Sequence, residues 1–263
     1  MKNFENKVII ITGAGMGLGL ATAKELASRG ANLSLVDYNE KSLEEAKTDI
    51  STQYPDVKII TVVADVSNEE AVKNYINQTV KRFGRIDGLY NNAGIEGRQA
   101  SMTEYDLDVF KKVIDINLMG VYYGLRYAIP VMQKQKYGRI VNVASVGGIR
   151  GVMNQTPYVA TKHAVSGMTK NAALEFGKDG ITTNAIAPGA ILTPMVAEAF
   201  KQVNPQDPKA AEAEYAKANP TKRLGIPEEV AKVVAFLLSD DASYVSGQTI
   251  AIDGGQSNSY GNV

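Results

Sequence analysis

The sequence predicts an α/β protein: a doubly wound parallel sheet of about seven strands with helices on both faces. Three observations carry that expectation. Short β-branched runs alternate with longer amphipathic segments. The runs are mostly apolar, as expected of strands buried on both faces. A glycine cluster, TGAGMGLG, falls between the first run and the first amphipathic segment, where such folds hold their ligands.

The expected strands cover residues 8–11, 32–36, 57–63, 86–90, 139–143, 182–186 and 249–252, each short and mostly flanked by turn residues. Helical patterns fill the gaps: 17–29 stops at Gly30, 40–54 stops before Pro55, and 68–83 stops at Gly84. With no repeat, charge run or low-complexity linker, the chain is expected to form one domain over 1–263.

Composition narrows the function. The 28 Lys and Arg balance the 28 Asp and Glu, and no basic block tracks a phosphate backbone, so nucleic acid is not an expected partner. There is no cysteine, which excludes thiolate nucleophiles and cysteine metal sites and suits a reducing cytoplasm; the lone histidine, His163, excludes histidine-cluster metal sites, and no metal is expected. The amino-terminal apolar run is too short for a signal-peptide core, and no stretch reaches a membrane span, so a soluble, unprocessed protein is expected.

The glycine cluster opens the first helix, where glycine lets the backbone turn tightly and approach a pyrophosphate. Its spacing, Gly13, Gly17 and Gly19, departs from the commonest dinucleotide fingerprint. The second strand ends in Asp37, 18 residues after Gly19. A carboxylate there accepts both adenosine ribose hydroxyls and repels a 2′-phosphate; Ala14, Met16 and Tyr38 supply no cation, so NAD is favoured over NADP.

Further along, Tyr158 and Lys162 lie four residues apart, about a dozen residues after Ser145. At helical spacing the two share a face, so an ammonium can sit near a phenol and stabilise its anion. A free tyrosine titrates near roughly 10; a neighbouring cation that lowers this makes it a usable acid or base. His163 points roughly 100° away from that face, and no GxSxG elbow exists to suggest a hydrolase.

Taken in order, TGAGMGLG, Asp65-Val66 after the third strand, Asn91-Asn92-Ala93-Gly94 after the fourth, Asn117, Ser145, Tyr158-x-x-x-Lys162 and Pro188-Gly189 resemble the short-chain dehydrogenases/reductases across nearly the whole chain. The resemblance implies a Rossmann-like fold and NAD-dependent hydride transfer between a secondary alcohol and a ketone. It also implies roles. Ser145 would bond the substrate carbonyl, Tyr158 would deliver its proton, Lys162 would depress the phenol pKa and bind the nicotinamide ribose, and Asn117 would hold a water behind the lysine. Gly13, Met16, Gly17 and Leu18 would line the pyrophosphate, Asp65 and Val66 the adenine edge, and Asn92, Ala93 and Gly94 the central span. In the stretch from Pro188 and Gly189 to Thr193, Ile191 would bond the nicotinamide amide through its backbone and Thr193 through its hydroxyl.

Substrate identity is less legible. Residues 193–225 carry four prolines and follow the nicotinamide loop, so they are expected to form a lid. Met195, Val196, Ala199, Phe200 and Val203 recur there at helical spacing and could close over an apolar substrate. Glu96 and Gln155, on loops at the chemical end, are candidates for its polar groups. The expected substrate is a small cyclic or hydroxylated ketone; a sugar 1-dehydrogenase or 3-oxoacyl reductase is the nearest alternative, and a non-catalytic NAD sensor is the alternative of another class. The resemblance further implies a homotetramer, with Tyr122, Tyr123, Met168 and residues 250–255 as candidate contacts and the tail SNSYGNV as a candidate to reach a neighbouring subunit.

Overall fold

Seven parallel strands form one sheet in the order β3-β2-β1-β4-β5-β6-β7: β1 (Val8–Thr12), β2 (Asn32–Asp37), β3 (Ile59–Val63), β4 (Gly88–Asn91), β5 (Gly138–Val143), β6 (Ile181–Pro188) and β7 (Thr249–Ile252). The computed structural model describes residues 3–259, so most of the SNSYGNV tail lies outside the described residues. Strand order reverses between β1 and β4, and the carboxyl ends of the two strands open a crevice there.

The helices are α1 (Gly17–Ser28), α2 (Glu40–Gln53), α3 (Glu69–Phe83), α4 (Leu107–Ile114), α5 (Gly120–Gln135), α6 (Thr156–Phe176), α7 (Pro194–Val203), α8 (Pro208–Ala218) and α9 (Pro227–Leu238). They cover both faces. Alternate residues of β1 explain why its apolar run is continuous: Ile9 and Ile11 join a core with Leu26 of α1, Leu43 of α2 and Val234 of α9. Ile10, between them, joins the opposite core with Val72 of α3, Leu125 of α5 and Val165 of α6. Burying each such side chain contributes about 1.5–3 kcal/mol.

Helix starts follow from local chemistry. The Asn39 and Asn68 side chains accept the N–H groups of Ser42 and Ala71, both at 3.0 Å, to cap α2 and α3. Strand starts differ from the sequence expectation for the same kind of reason. The third strand begins at Ile59 because Val57 N–H is used in a turn with the Tyr54 carbonyl and Lys58 N–H by the Asn32 side chain. The fourth begins at Gly88 because the Asp87 carboxylate takes Val8 N–H at 2.8 Å and pairs with Arg85, anchoring the chain before it joins the sheet.

The segment after β6 forms α7 and α8, which pack on one another through Phe200 and Tyr215, edge to face with ring centroids 5.7 Å apart. No helix among the described residues is long and apolar enough to cross a membrane.

Candidate active site

The crevice between β1 and β4 is knitted at its rim by one hydroxyl. Thr12, the last residue of β1, accepts the N–H groups of Asn92 at 3.0 Å and Ala93 at 3.1 Å, while the Asn92 amide donates to the Thr12 carbonyl at 2.9 Å and the Gly13 carbonyl at 3.1 Å. Asn92 and Ala93 therefore fix the two strand ends to each other. Gly13 (φ +64°) makes the turn that follows, and a Cβ on Gly19 would stand 2.0 Å from the Gly13 carbonyl oxygen, so only glycine lets α1 approach β1 this closely.

Whether this crevice suits a dinucleotide is tested by the start of α1. Its N-cap, Met16, offers no side-chain acceptor, unlike the caps of α2, α3, α4, α7 and α8; α5, α6 and α9 also start without one, but it is α1 that starts at the glycine turn of the crevice. The first N–H groups of α1, around Gly17 and Leu18, are thus left for an outside anion, and a pyrophosphate is the anion that fits. Asp37, buried at the end of β2, completes the fit: its carboxylate accepts Gly15 N–H at 2.9 Å and Asn39 N–H at 3.0 Å, which fixes its orientation with no cationic side chain among the described residues bonded to it. A Cβ on Gly15 would meet that carboxylate and Ser42. Gly15 and Thr12 shape the crevice, a role that residue spacing alone did not single out, although both stand inside the glycine cluster.

Farther out, Asp65 is exposed and its carboxylate is engaged by Ser67 N–H at 2.9 Å, whereas the Val66 side chain is buried against Gly120. Only the backbone of Val66 is available to an adenine edge. Ile191 is buried and bridges Gly225; the Thr193 hydroxyl caps α7 by accepting Val196 N–H at 3.4 Å, so it is already in use as an acceptor and keeps its proton for donation. Pro188 ends β6, and Gly189 N–H donates to the Ile252 carbonyl, holding the loop between them in place.

The catalytic candidates converge at the end of β5. Ser145 follows this strand and caps a short 3-10 turn, accepting Gly147 N–H at 3.1 Å. A Cβ on Gly148 would lie 2.7 Å from the Lys162 carbonyl, so that glycine allows the serine turn to rest directly on α6. Tyr158 and Lys162 share one face of α6, as their spacing implies. The Ser145 hydroxyl neighbours the Tyr158 phenol and favours its ionised form, and the Lys162 ammonium sits 5.5 Å from the centre of the tyrosine ring while donating to the Val143 carbonyl at 2.7 Å. Asn117 lies in a π-helical turn between α4 and α5, a distortion that recurs at functional sites. Both ends of its amide hold Ile95: Oδ1 accepts Ile95 N–H at 2.8 Å and Nδ2 donates to the Ile95 carbonyl at 2.7 Å. A water behind Lys162 would have to share Oδ1 or use the Asn117 backbone.

The electrostatics differ from the sequence expectation in one respect. Burial raises the Tyr158 phenol to about 12, only partly offset by the Ser145 hydroxyl and reinforced by Glu96, while burial lowers Lys162 to about 8. Burial of the phenol therefore outweighs what a neighbouring cation contributes, and the Lys162 ammonium directs its hydrogen bond to Val143. At neutral pH the pair is therefore phenol plus ammonium, the form that donates a proton.

Glu96 and Gln155 are brought together, the amide donating to the carboxylate beside Tyr158. Burial raises Glu96 to about 7. With a folded pKa above the unfolded one, its neutral form stabilises the fold below the usual carboxylate range and that stability is lost as pH rises through about 7. Glu96→Gln is accordingly expected to melt a few degrees above the parent at pH 8 and level with it at pH 4. Equal shifts at both pH values would contradict this assignment. Met195 is exposed, at 41 %, and Val203 more so, while Phe200 is buried, so the apolar stripe of α7 divides between packing and an open face. A recess of about 340 Å³ lined by Leu192, Pro194, Val196, Ala197 and Phe200 lies beside the Thr193 turn. His163 is exposed and bonds only its own helix.

Comparison with known proteins finds relatives along almost the whole chain. A family model described as enoyl-(acyl carrier protein) reductase matches residues 13–257. Levodione reductase of Leifsonia aquatica is 52% identical over 98% of this chain and 96% of its own; a crystal structure of levodione reductase superposes with a TM-score of 0.97, covering 98% of this chain and 100% of that one. Cyclohexanol dehydrogenase of Acinetobacter sp. (strain SE19) is 41% identical over 95% of each chain. A crystal structure of NAD+-bound xylitol dehydrogenase matches with a TM-score of 0.91 at 38% identity, over 96% of this chain and 99% of that one.

Proposed function

This chain belongs to the short-chain dehydrogenase/reductase family, and from that premise we propose that it interconverts a small cyclic secondary alcohol and its ketone with NAD, through Ser145, Tyr158 and Lys162. The observation that carries the reading is the meeting of a proton-bearing phenol, a serine hydroxyl and a buried ammonium at the mouth of a crevice with an uncapped helix start and a fixed Asp37.

When bound, the nicotinamide supplies the hydride; the remaining chemistry falls to the chain. The Gly147 N–H occupies one lone pair of Ser145 Oγ, which aims the hydroxyl proton outward, toward the Tyr158 oxygen or a substrate carbonyl oxygen beside it. In reduction, Tyr158 gives its proton to that oxygen as negative charge develops there, and the phenolate left behind is stabilised by the Lys162 ammonium and the Ser145 hydroxyl. In alcohol oxidation the same atoms act in reverse, and the phenolate must first be formed. Asn117 supports the site by clamping Ile95, which places Gly94 beside Lys162.

We assign the cofactor to Gly13, Met16, Gly17, Leu18, Asp37, Asp65, Val66, Asn92, Ala93, Gly94, Pro188, Gly189, Ile191 and Thr193, and the substrate's polar groups to Ser145, Glu96 and Gln155. Residues 193–225 serve as a lid with Met195 on its open face. A homotetramer in the cytoplasm is the assembly we favour: β7 is a sheet edge with unpaired backbone groups, and Tyr122 of α5 is 41% exposed. Tyr123 and Met168, in contrast, pack partly against the core.

The test is NADH oxidation at 340 nm across cyclic diketones, cyclohexanones, hydroxyketones, sugars and 3-oxoacyl thioesters, repeated with NADPH. Turnover is expected on the cyclic ketones with NADH. Preference for sugars or thioesters would move the substrate class, and silence across the panel would favour a sensor.

A further inference from the structure

Three walls surround the proposed substrate position: the loop of residues 94–101 after β4, the loop of residues 149–155 after the serine turn, and the α7–α8 pair. The first two are firmly joined. Ala100 N–H donates to the Asn154 carbonyl at 3.0 Å, Gln155 donates to Glu96, and the 94–101 loop is braced below by Asn117 on Ile95 and by the Tyr105 hydroxyl, which accepts Arg98 N–H at 3.1 Å. The foot of α8 is held as well: Tyr215 accepts from the buried Gln256 amide, and Asn219, buried just beyond the helix, donates to the Asp253 carbonyl at 3.1 Å.

The free end of α7 is different. Among the described residues, Gln202 is the only residue of α7 with a hydrogen bond to a part of the chain outside 193–218, and it makes two. Its Oε1 accepts Gln99 N–H at 3.0 Å, and its Nε2 donates to the Gly97 carbonyl at 3.5 Å. A side-chain amide placed this way reads a backbone segment as a neighbouring strand would, and it does so on the loop that carries Glu96.

We propose that Gln202 is a positioning residue, the latch that closes the α7–α8 lid onto the Glu96 loop and so couples lid closure to the setting of Glu96 and Gln155 against the substrate. The proposal rests on the reading of residues 193–225 as a lid. Gln202 touches neither the reacting atoms nor the Tyr158 pair, and it acts through the loop. Being exposed, the latch lies at the low-stability end of the structure, where opening for substrate entry and product release is least costly.

The test compares the parent with Gln202→Ala, which removes both bonds, and Gln202→Glu, which keeps the acceptor for Gln99 N–H and loses the donor to Gly97. Hydrogen exchange of the free protein is expected to quicken in residues 94–101 and 194–203 together in Gln202→Ala, and less so in Gln202→Glu. With NADH and a cyclic ketone, Gln202→Ala should raise the ketone KM about 3- to 10-fold without lowering kcat, the KM for NADH staying put, and Gln202→Glu should recover part of the loss. Faster exchange confined to 194–203, or an unchanged ketone KM, would overturn the latch. If the parent reduces no cyclic ketone, the substrate reading fails, and paired exchange in the two segments still decides for or against the latch.

Discussion

Tyr158→Phe is expected to lower kcat for ketone reduction by about 10²–10⁴-fold, the range a positioned proton donor contributes. The phenylalanine ring keeps the packing on α6, and the cofactor crevice is formed by other residues, so NADH binding and thermal stability should change little. In the parent enzyme the phenol stays protonated well above neutrality, being raised to about 12, and of the Tyr158–Lys162 pair the lysine, lowered to about 8, titrates first, above Glu96 at about 7. Reduction should therefore fall as pH rises through about 8, because the ammonium that stabilises the departing phenolate is lost there. Lys162→Met should remove this inflection along with most of the activity. A Tyr158→Phe enzyme that keeps parental kcat, with its pH profile unaltered, would assign the proton to another group.

The second large effect is on the choice of cofactor. Asp37→Ser should raise the KM for NADH by about 10- to 100-fold, since the carboxylate that would accept the ribose hydroxyls is lost, a charged bond contributes about 1.5–3 kcal/mol, and the serine hydroxyl makes good part of the two bonds, leaving a net loss of about one. It should at the same time raise kcat/KM with NADPH, because the repulsion of a 2′-phosphate is removed. Asp37 also orients Gly15 and Asn39 through their N–H groups, so Asp37→Asn is the control: it keeps an acceptor for one of them and loses the charge. If Asp37→Asn and Asp37→Ser both leave the NADH to NADPH ratio of kcat/KM at the parental value, the ribose is read by some other residue.

Most of the scaffold was legible because its causes are local. A run such as residues 8–11 is apolar at every position, and only a strand buried on both sides of a sheet needs that, as Ile9 and Ile10 in opposite cores illustrate. Boundaries slipped where a long-range bond decides them: nothing near Asp87 in sequence reveals that its carboxylate holds Val8. The Tyr158 and Lys162 pair was legible as a shared helix face, but not in its electrostatics, since proximity predicts a depressed phenol and only the fold reveals that both groups are desolvated and that the ammonium turns to Val143. Asn117 was legible as a member of the site, yet its bonds to Ile95, made across 22 residues, were not. Gln202 was invisible. Its partners lie more than a hundred positions earlier in the chain, and an exposed glutamine on a helix carries no pattern of its own.

Hydride delivery to a carbonyl carbon whose oxygen is protonated by Tyr158 is tested directly by isotope transfer. A cyclic ketone is reduced with NADH carrying deuterium at both positions of the reactive ring carbon, and the product alcohol is weighed by mass spectrometry. The parent enzyme should give alcohol with one deuterium on the carbinol carbon, and Tyr158→Phe should give the same label at a rate lower by about two orders of magnitude or more. Unlabelled alcohol from the parent, or labelled alcohol formed at parental rate by Tyr158→Phe, would contradict the account.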